Sequence, residues 1–151
     1  MMMTLRNIKQ AITDLLKSKY PTYKAYFDNI EKAKAPYFYV EMMPAVSTID
    51  RVYSDRDIQI DIELVLAEDA CGRVARSDIY DAADTLDALV RPVLQVGDRY
   101  ITIQGVETTF VGEILHYIFE LVFTDAFTDA EVGGIQYELM QELDLNLKGE
   151  I

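Results

Sequence analysis

The clearest pattern in the chain is an alternation of apolar and polar residues from Asp57 to Leu64, within a predicted strand over Asp55 to Leu66. Its apolar positions are Ile58, Ile60, Ile62 and Leu64, and the polar positions between them include Asp57, Asp61 and Glu63. Alternation with a period of two predicts a strand with one buried face and one solvated face. We therefore expect the four apolar side chains to be buried and the three carboxylates to lie on a solvated, acidic face.

Two segments repeat apolar residues at intervals of three or four, which predicts amphipathic helices. The first begins after Thr4, a residue type that favours the N-cap position, and ends before Pro21. The second extends from Ser77 to Val93. Its polar face carries four aspartates at intervals of three, namely Asp78, Asp81, Asp84 and Asp87.

The remaining strands are predicted from residue propensity and from the turn residues that bound them. They are Pro36 to Met43, Arg99 to Gln104 and Ile114 to Phe123. Residues 45–54 are expected to form a connecting loop. The pattern allows two interpretations for each of two further segments. Residues 20–35 fit a short strand or an ordered loop, and residues 105–112 fit a loop or an irregular hairpin.

These elements predict a single α+β domain over residues 1–151. We expect an antiparallel-rich, four-stranded sheet with both amphipathic helices packed on one face. The apolar spacing at the C-terminus fits either a strand or a helix. We interpret residues 133–151 as an extended C-terminal arm.

Composition narrows the class of function. The chain has 14 Lys and Arg against 26 Asp and Glu, so its net charge is −12. Because proteins that bind nucleic acid need clustered basic residues, this composition disfavours a nucleic-acid-binding function. No apolar run approaches the roughly 20 residues that span a bilayer. The single cysteine excludes an internal disulfide, and we expect a soluble intracellular protein.

Candidate chemistry is sparse. The helical aspartates offer oxygen ligands to Ca²⁺ or Mg²⁺, but a solvated acidic helix face explains the same spacing, so we expect no metal and no cofactor. His116 has no Ser or Cys partner in a recognisable motif. We expect a partly buried strand histidine with local hydrogen bonds, and we assign no catalytic residue.

Tyrosine is abundant towards the N-terminus. The five tyrosines concerned are Tyr20, Tyr23, Tyr26, Tyr37 and Tyr39. Tyrosine is favoured at protein interfaces because it buries a large area and keeps a polar tip, so these residues are candidate interface aromatics. Packing within strands and the core is the alternative explanation.

The order of elements and four passages, PYFYVEM, DIQIDIELVL, IYDAADTLDALVRPVL and YITIQGVETTFVGEILHYIFELVF, resemble the tail terminator proteins of long-tailed bacteriophages and prophage-derived tail particles. The resemblance implies a non-enzymatic virion protein. Such proteins form a ring, commonly of six subunits, that caps the tail tube, stops its polymerisation and provides the head-attachment surface. Two alternatives remain: another head–tail connector component (a stopper or adaptor), and a small ligand-binding α+β domain.

The resemblance also implies partners and location. The expected partners are further copies of the chain, the tail tube protein, the head-completion protein and, in a contractile tail, the sheath protein, with DNA only in passage and no membrane. The expected location is the host cytoplasm during assembly, then the virion or a phage-tail-like particle. A channel that lets DNA slide should repel phosphates, so we expect one acidic face, that of the alternating strand or that of the second helix, to flank it. The alternative is that the charge serves solubility.

Overall fold

The computed structural model describes residues 3–28 and 33–126, which form two helices and seven strands. In chain order the elements are α1 (Leu5–Lys19), β1 (Lys24–Tyr26), β2 (Tyr37–Thr48), β3 (Tyr53–Val65), α2 (Arg76–Val90), β4 (Val93–Val96), β5 (Arg99–Thr102), β6 (Val106–Val111) and β7 (Ile114–Ala126). The α+β class is therefore confirmed. The proposed C-terminal arm, residues 133–151, lies outside the described residues.

The strands form two sheets rather than one. The larger sheet has the order β1-β2-β3-β7-β6, and β4 pairs with β5 in a separate two-stranded sheet. Strand β1 is parallel to β2, whereas the other pairings are antiparallel. The predicted four-stranded sheet is thus wrong in strand number. The strands that were missed or left open are short, with three, four and six residues in β1, β4 and β6, and a short strand shows little alternation.

One face of the larger sheet forms the hydrophobic core. Val40, Ile62 and Tyr117 lie opposite one another in adjacent strands and are all buried, as are their neighbours two residues along each of the two central strands. Ile58, Ile60, Ile62 and Leu64 are at most 1% exposed. The predicted burial of the alternating strand is confirmed.

Both helices cover this same face. Helix α1 buries Ile8, Ile12 and Leu16, and its C-cap Tyr20 packs edge-on against Phe38 of β2 at 5.2 Å between ring centroids. Helix α2 contacts β7, where the hydroxyl of the buried Tyr117 donates to Asp87 at 2.9 Å. The predicted placement of the two helices on one face is therefore observed.

Strands β2 and β3 form a hairpin that is longer than the sequence indicated. Strand β2 continues through Pro44 to Thr48, so most of the loop predicted over residues 45–54 is wrong. A short turn remains, in which the Asp50 carboxylate accepts from the backbone N–H groups of Val52 and Tyr53, each at 2.8 Å. These hydrogen bonds hold the pKa of Asp50 below its usual value. The end of β2 is exposed on both faces, which explains why its sequence lacks a burial pattern.

The segment after α2 also differs from the prediction. The helix ends at Val90 instead of Val93, because Pro92 disfavours helical backbone at Arg91, which is extended. Val93–Val96 then forms β4 and turns into β5 through Gly97, whose φ of +60° suits glycine. Residues 106–111, left open as a loop or a hairpin, form the edge strand β6.

A buried ionic network joins the N-terminus to the end of the sheet. The Asp125 side chain accepts from the backbone N–H of Met3 and from Arg99, and it lies 3.8 Å from the Arg56 guanidinium. Arg56 also donates to the Met3 carbonyl. Arg56 and Asp125 are only 8% and 5% exposed, so the buried Arg56 depends on Asp125 for charge compensation, while both Arg56 and Arg99 compensate Asp125.

Candidate functional site: the acidic sheet face

The sheet face opposite the core is densely acidic. The register of four strands places seven carboxylates on this face: Glu41, Asp55, Asp57, Asp61, Glu63, Glu107 and Glu120. Lys24, on the edge strand β1, is the only lysine or arginine among the described strand residues of this face. We call this surface the acidic sheet face. It contains all three strand carboxylates that the alternation placed in water.

The centre of the acidic sheet face holds the only histidine of the chain, between two carboxylates. His116 on β7 is directly opposite Glu63 on β3, and Asp61 is the diagonal neighbour. The imidazole Nδ1 lies 3.1 Å from Asp61 Oδ2 and 3.4 Å from Glu63 Oε1. The three side chains are 14–22% exposed. Cross-strand pairing thus creates a compact, half-buried cluster that matches the expected locally hydrogen-bonded histidine.

The crowding of carboxylates perturbs the ionisation of their neighbours. Burial raises the pKa of Glu63; the nearby Asp61 and Glu41 raise it further, and His116 opposes them. Burial also raises the pKa of the Tyr39 hydroxyl, as do the carboxylates of Glu41 and Glu63. The acidic sheet face therefore carries more negative charge than its own cationic groups compensate.

We expect Glu63→Gln to stabilise the fold slightly at pH 7. Because the pKa of Glu63 is raised in the folded state, its ionisation costs stability as the pH rises above the unfolded value of about 4.3. The glutamine variant avoids this cost, so its advantage in urea unfolding should vanish below about pH 4. Glu120→Gln, at an exposed position on the same face, is the control and should change less. An advantage for Glu63→Gln that persists in acid would contradict the electrostatic origin.

The aspartates of α2 do not form one uniform surface. Asp78, Asp81 and Asp84 are exposed, whereas Asp87 turns towards the sheet. Asp87 accepts from Arg91 at 2.6 Å and from Tyr117 at 2.9 Å, and the Arg91 bond in particular holds its pKa below the usual range. Because α2 covers the core face, its exposed aspartates and the acidic sheet face lie on opposite sides of the molecule.

The five N-terminal tyrosines fall into two groups, and all are half-buried. Tyr20 and Tyr23 pack against each other and against Phe38 at the rim of the core. Tyr26 and Tyr37 are in edge-to-face contact on the side of the acidic sheet face, where Tyr39 also lies. Their role at an interface stays a prediction.

Comparison with known proteins identifies the family. A family model described as "Phage tail terminator protein" matches residues 7–133, which is most of the chain. The chain belongs to the phage tail terminator family. The predicted resemblance is confirmed.

Membership in the terminator family makes this a structural, virion-associated tail protein that interacts with other tail and virion proteins. A solved structure aligns at 22% identity with a TM-score of 0.48, over 83% of this chain and 97% of the other. No curated protein matches the chain. Neither helix in residues 3–28 and 33–126 is long and apolar enough to cross a membrane.

The Asp61–Glu63–His116 cluster was not anticipated from the sequence. The sequence predicts that Asp61 and Glu63 lie on a solvated strand face and that His116 is a partly buried strand residue. The missing information was the register of β3 against β7, which joins positions more than 50 residues apart. The sequence carries no signal of that register, so sequence reasoning alone could not find the cluster.

Proposed function

We propose that this terminator acts as a ring of six subunits that caps the tail tube, stops its polymerisation and provides the surface to which the head attaches. Family membership supports this role most strongly. During assembly the ring forms in the host cytoplasm from copies of this chain at the end of the tail tube. It afterwards contacts the head-completion protein and, in a contractile tail, the sheath. DNA contacts the ring only in passage.

The acidic sheet face is the surface that we propose to flank the central channel. Six chains of net charge −12 carry 6 × −12 = −72, and seven carboxylates of each chain share this face. A negatively charged wall repels DNA phosphates, whereas a basic wall would hold them through counterion release. The exposed aspartates of α2 point the opposite way and would then lie on the outside of the ring.

The tip of the β2–β3 hairpin is the surface that we propose to contact a neighbouring subunit. Val46 and Ile49 are 59% and 51% exposed, and Met43, Val52 and Tyr53 are also exposed. Apolar side chains grouped at the end of a long hairpin are costly in water and favour burial in an interface. The half-buried Tyr26, Tyr37 and Tyr39 near the other end of the sheet would contribute to the adjoining contact.

The ring is tested by the mass of the protein bound to its tube protein. We expect six copies at one tube end, and we expect Ile49→Lys to abolish the ring without changing the circular dichroism or the urea midpoint of the free chain. Ala88→Lys, at an exposed position on α2, the side that we propose to lie outside the ring, is the control and should leave the ring intact. One copy per tube end would refute the ring, and a normal ring in Ile49→Lys would refute the hairpin contact.

Charge reversal tests the channel. We expect Asp57→Lys with Glu120→Lys, on the acidic sheet face, to slow DNA exit from phage particles while tail length stays normal, because cationic walls retain phosphates. Asp81→Lys with Asp84→Lys on α2 makes the same change in charge on the opposite side and should leave DNA exit unchanged. DNA release kinetics measured on both double variants distinguish the two surfaces. Normal release from the sheet-face variant would contradict its position beside the channel.

A further inference from the structure

We propose that Asp61, Glu63 and His116 form a binding site for a transition-metal dication, with Zn²⁺ as the best match. The site lies within one chain, at the centre of the acidic sheet face. It is therefore independent of ring formation and of tube capping.

The distances between the donor atoms suit such an ion. One ligand atom from each of the three side chains lies within 4.8 Å of the others, and Nδ1 is 3.1 Å and 3.4 Å from the nearest oxygens of Asp61 and Glu63. Zinc bonds of about 2.0–2.1 Å in a tetrahedron separate neighbouring ligands by about 3.3–3.4 Å. Small side-chain rotations would therefore admit an ion between Nδ1 and the two carboxylates.

The donor set determines the kind of ion. Two carboxylates alone favour Mg²⁺ or Ca²⁺, but an imidazole nitrogen suits zinc, copper, iron and nickel. Three protein ligands leave a fourth tetrahedral position for water. His116 is what distinguishes this cluster from the other carboxylates on the same face, such as Glu120.

The backbone holds the three ligands in fixed positions. Glu63 and His116 are directly paired across β3 and β7, and Asp61 is two residues from Glu63 on the same side of β3. Both strands are central in the five-stranded sheet and bury their opposite face in the core. Ligands mounted on packed central strands need little reorganisation to bind an ion.

The surrounding charge favours a cation. Glu41 of β2 lies directly opposite Asp61. On the other side of β3, Asp61 is opposite Ile118 of β7, and Ile118 is opposite Glu107 of β6. A dication would offset the repulsion that these carboxylates exert on one another. It would also link β3 to β7 through side chains.

Calorimetric titration of ZnCl₂ into the full chain after EDTA treatment tests the site. We expect one Zn²⁺ per chain, bound by Asp61, Glu63 and His116. Glu63→Gln and His116→Gln should each lower the affinity for Zn²⁺ by at least about 10–100-fold, because loss of even a residue that only hydrogen-bonds to a ligand costs that much. MgCl₂ should bind more weakly than ZnCl₂.

Two control variants make the result specific. Glu120→Gln removes the same charge as Glu63→Gln from the same face. Cys71→Ser removes the one cysteine of the sequence, whose exposed thiol could bind zinc instead of the cluster. Neither control should change the affinity appreciably, and all variants should keep the circular dichroism of the parent. Absence of saturable binding, or equal losses in Glu63→Gln and Glu120→Gln, would overturn the proposal.

Discussion

Ile60→Asp is expected to lower the free energy of unfolding by about 5 kcal/mol or more. The isoleucine is fully buried in the centre of β3, so the substitution loses roughly 2–3 kcal/mol of apolar burial. It also places a carboxylate without a partner in the core, which costs several kcal/mol more. The sum approaches the whole stability of a small domain, about 5–15 kcal/mol. Urea unfolding followed by circular dichroism should show little or no cooperative transition.

The adjacent residue provides the matched control. Gln59 points to the acidic sheet face, where it is half-exposed, so Gln59→Asp should change stability by no more than about 1 kcal/mol. The two variants place the same side chain one residue apart, and a difference between them reports which face of the strand is buried. Similar losses in both variants would contradict the assigned register.

Asp125→Ala is expected to cost about 3–5 kcal/mol. The substitution leaves the buried Arg56 guanidinium without its counterion and removes the acceptor of the Met3 backbone N–H. It also releases Arg99, which packs over Phe123 at 5.2 Å and donates to Asp125 at 3.2 Å. Chemical denaturation at neutral pH measures the loss.

Asp125→Asn separates charge from hydrogen bonding in this network. The amide oxygen can still accept from the Met3 N–H, so the loss should be smaller than for alanine. Asp98→Ala, at an exposed turn position, should remain within about 0.5 kcal/mol of the parent. A loss below about 1 kcal/mol for Asp125→Ala would show that the buried network contributes little to the stability of the fold.

The elements predicted correctly are those with a strong one-sided burial pattern. Strand β3 buries every second residue from Ser54 to Leu64, and α1 buries residues at intervals of four, so the period of each is visible in its sequence. The end of β2 fails this test because both of its faces are exposed. Hydrogen bonding to β3, rather than burial, makes those residues a strand.

The candidate site depends on information that a single sequence does not carry. The alternation predicted that Asp61 and Glu63 would lie in water, but only the pairing of β3 with β7 places them beside His116. In the same way, Asp87 follows the spacing of the solvated helix aspartates, yet it bonds to the buried Tyr117. Spacing predicts which face a residue occupies, and tertiary packing determines its partners.

The length of tail tubes tests the central claim most directly. Cognate tube protein is polymerised in vitro with and without the purified chain, and the tube lengths and ends are recorded by electron microscopy. The account predicts that added chain stops elongation and that a ring caps one end of each arrested tube. Tubes that continue to grow to the same lengths, with no chain at either end, would contradict it.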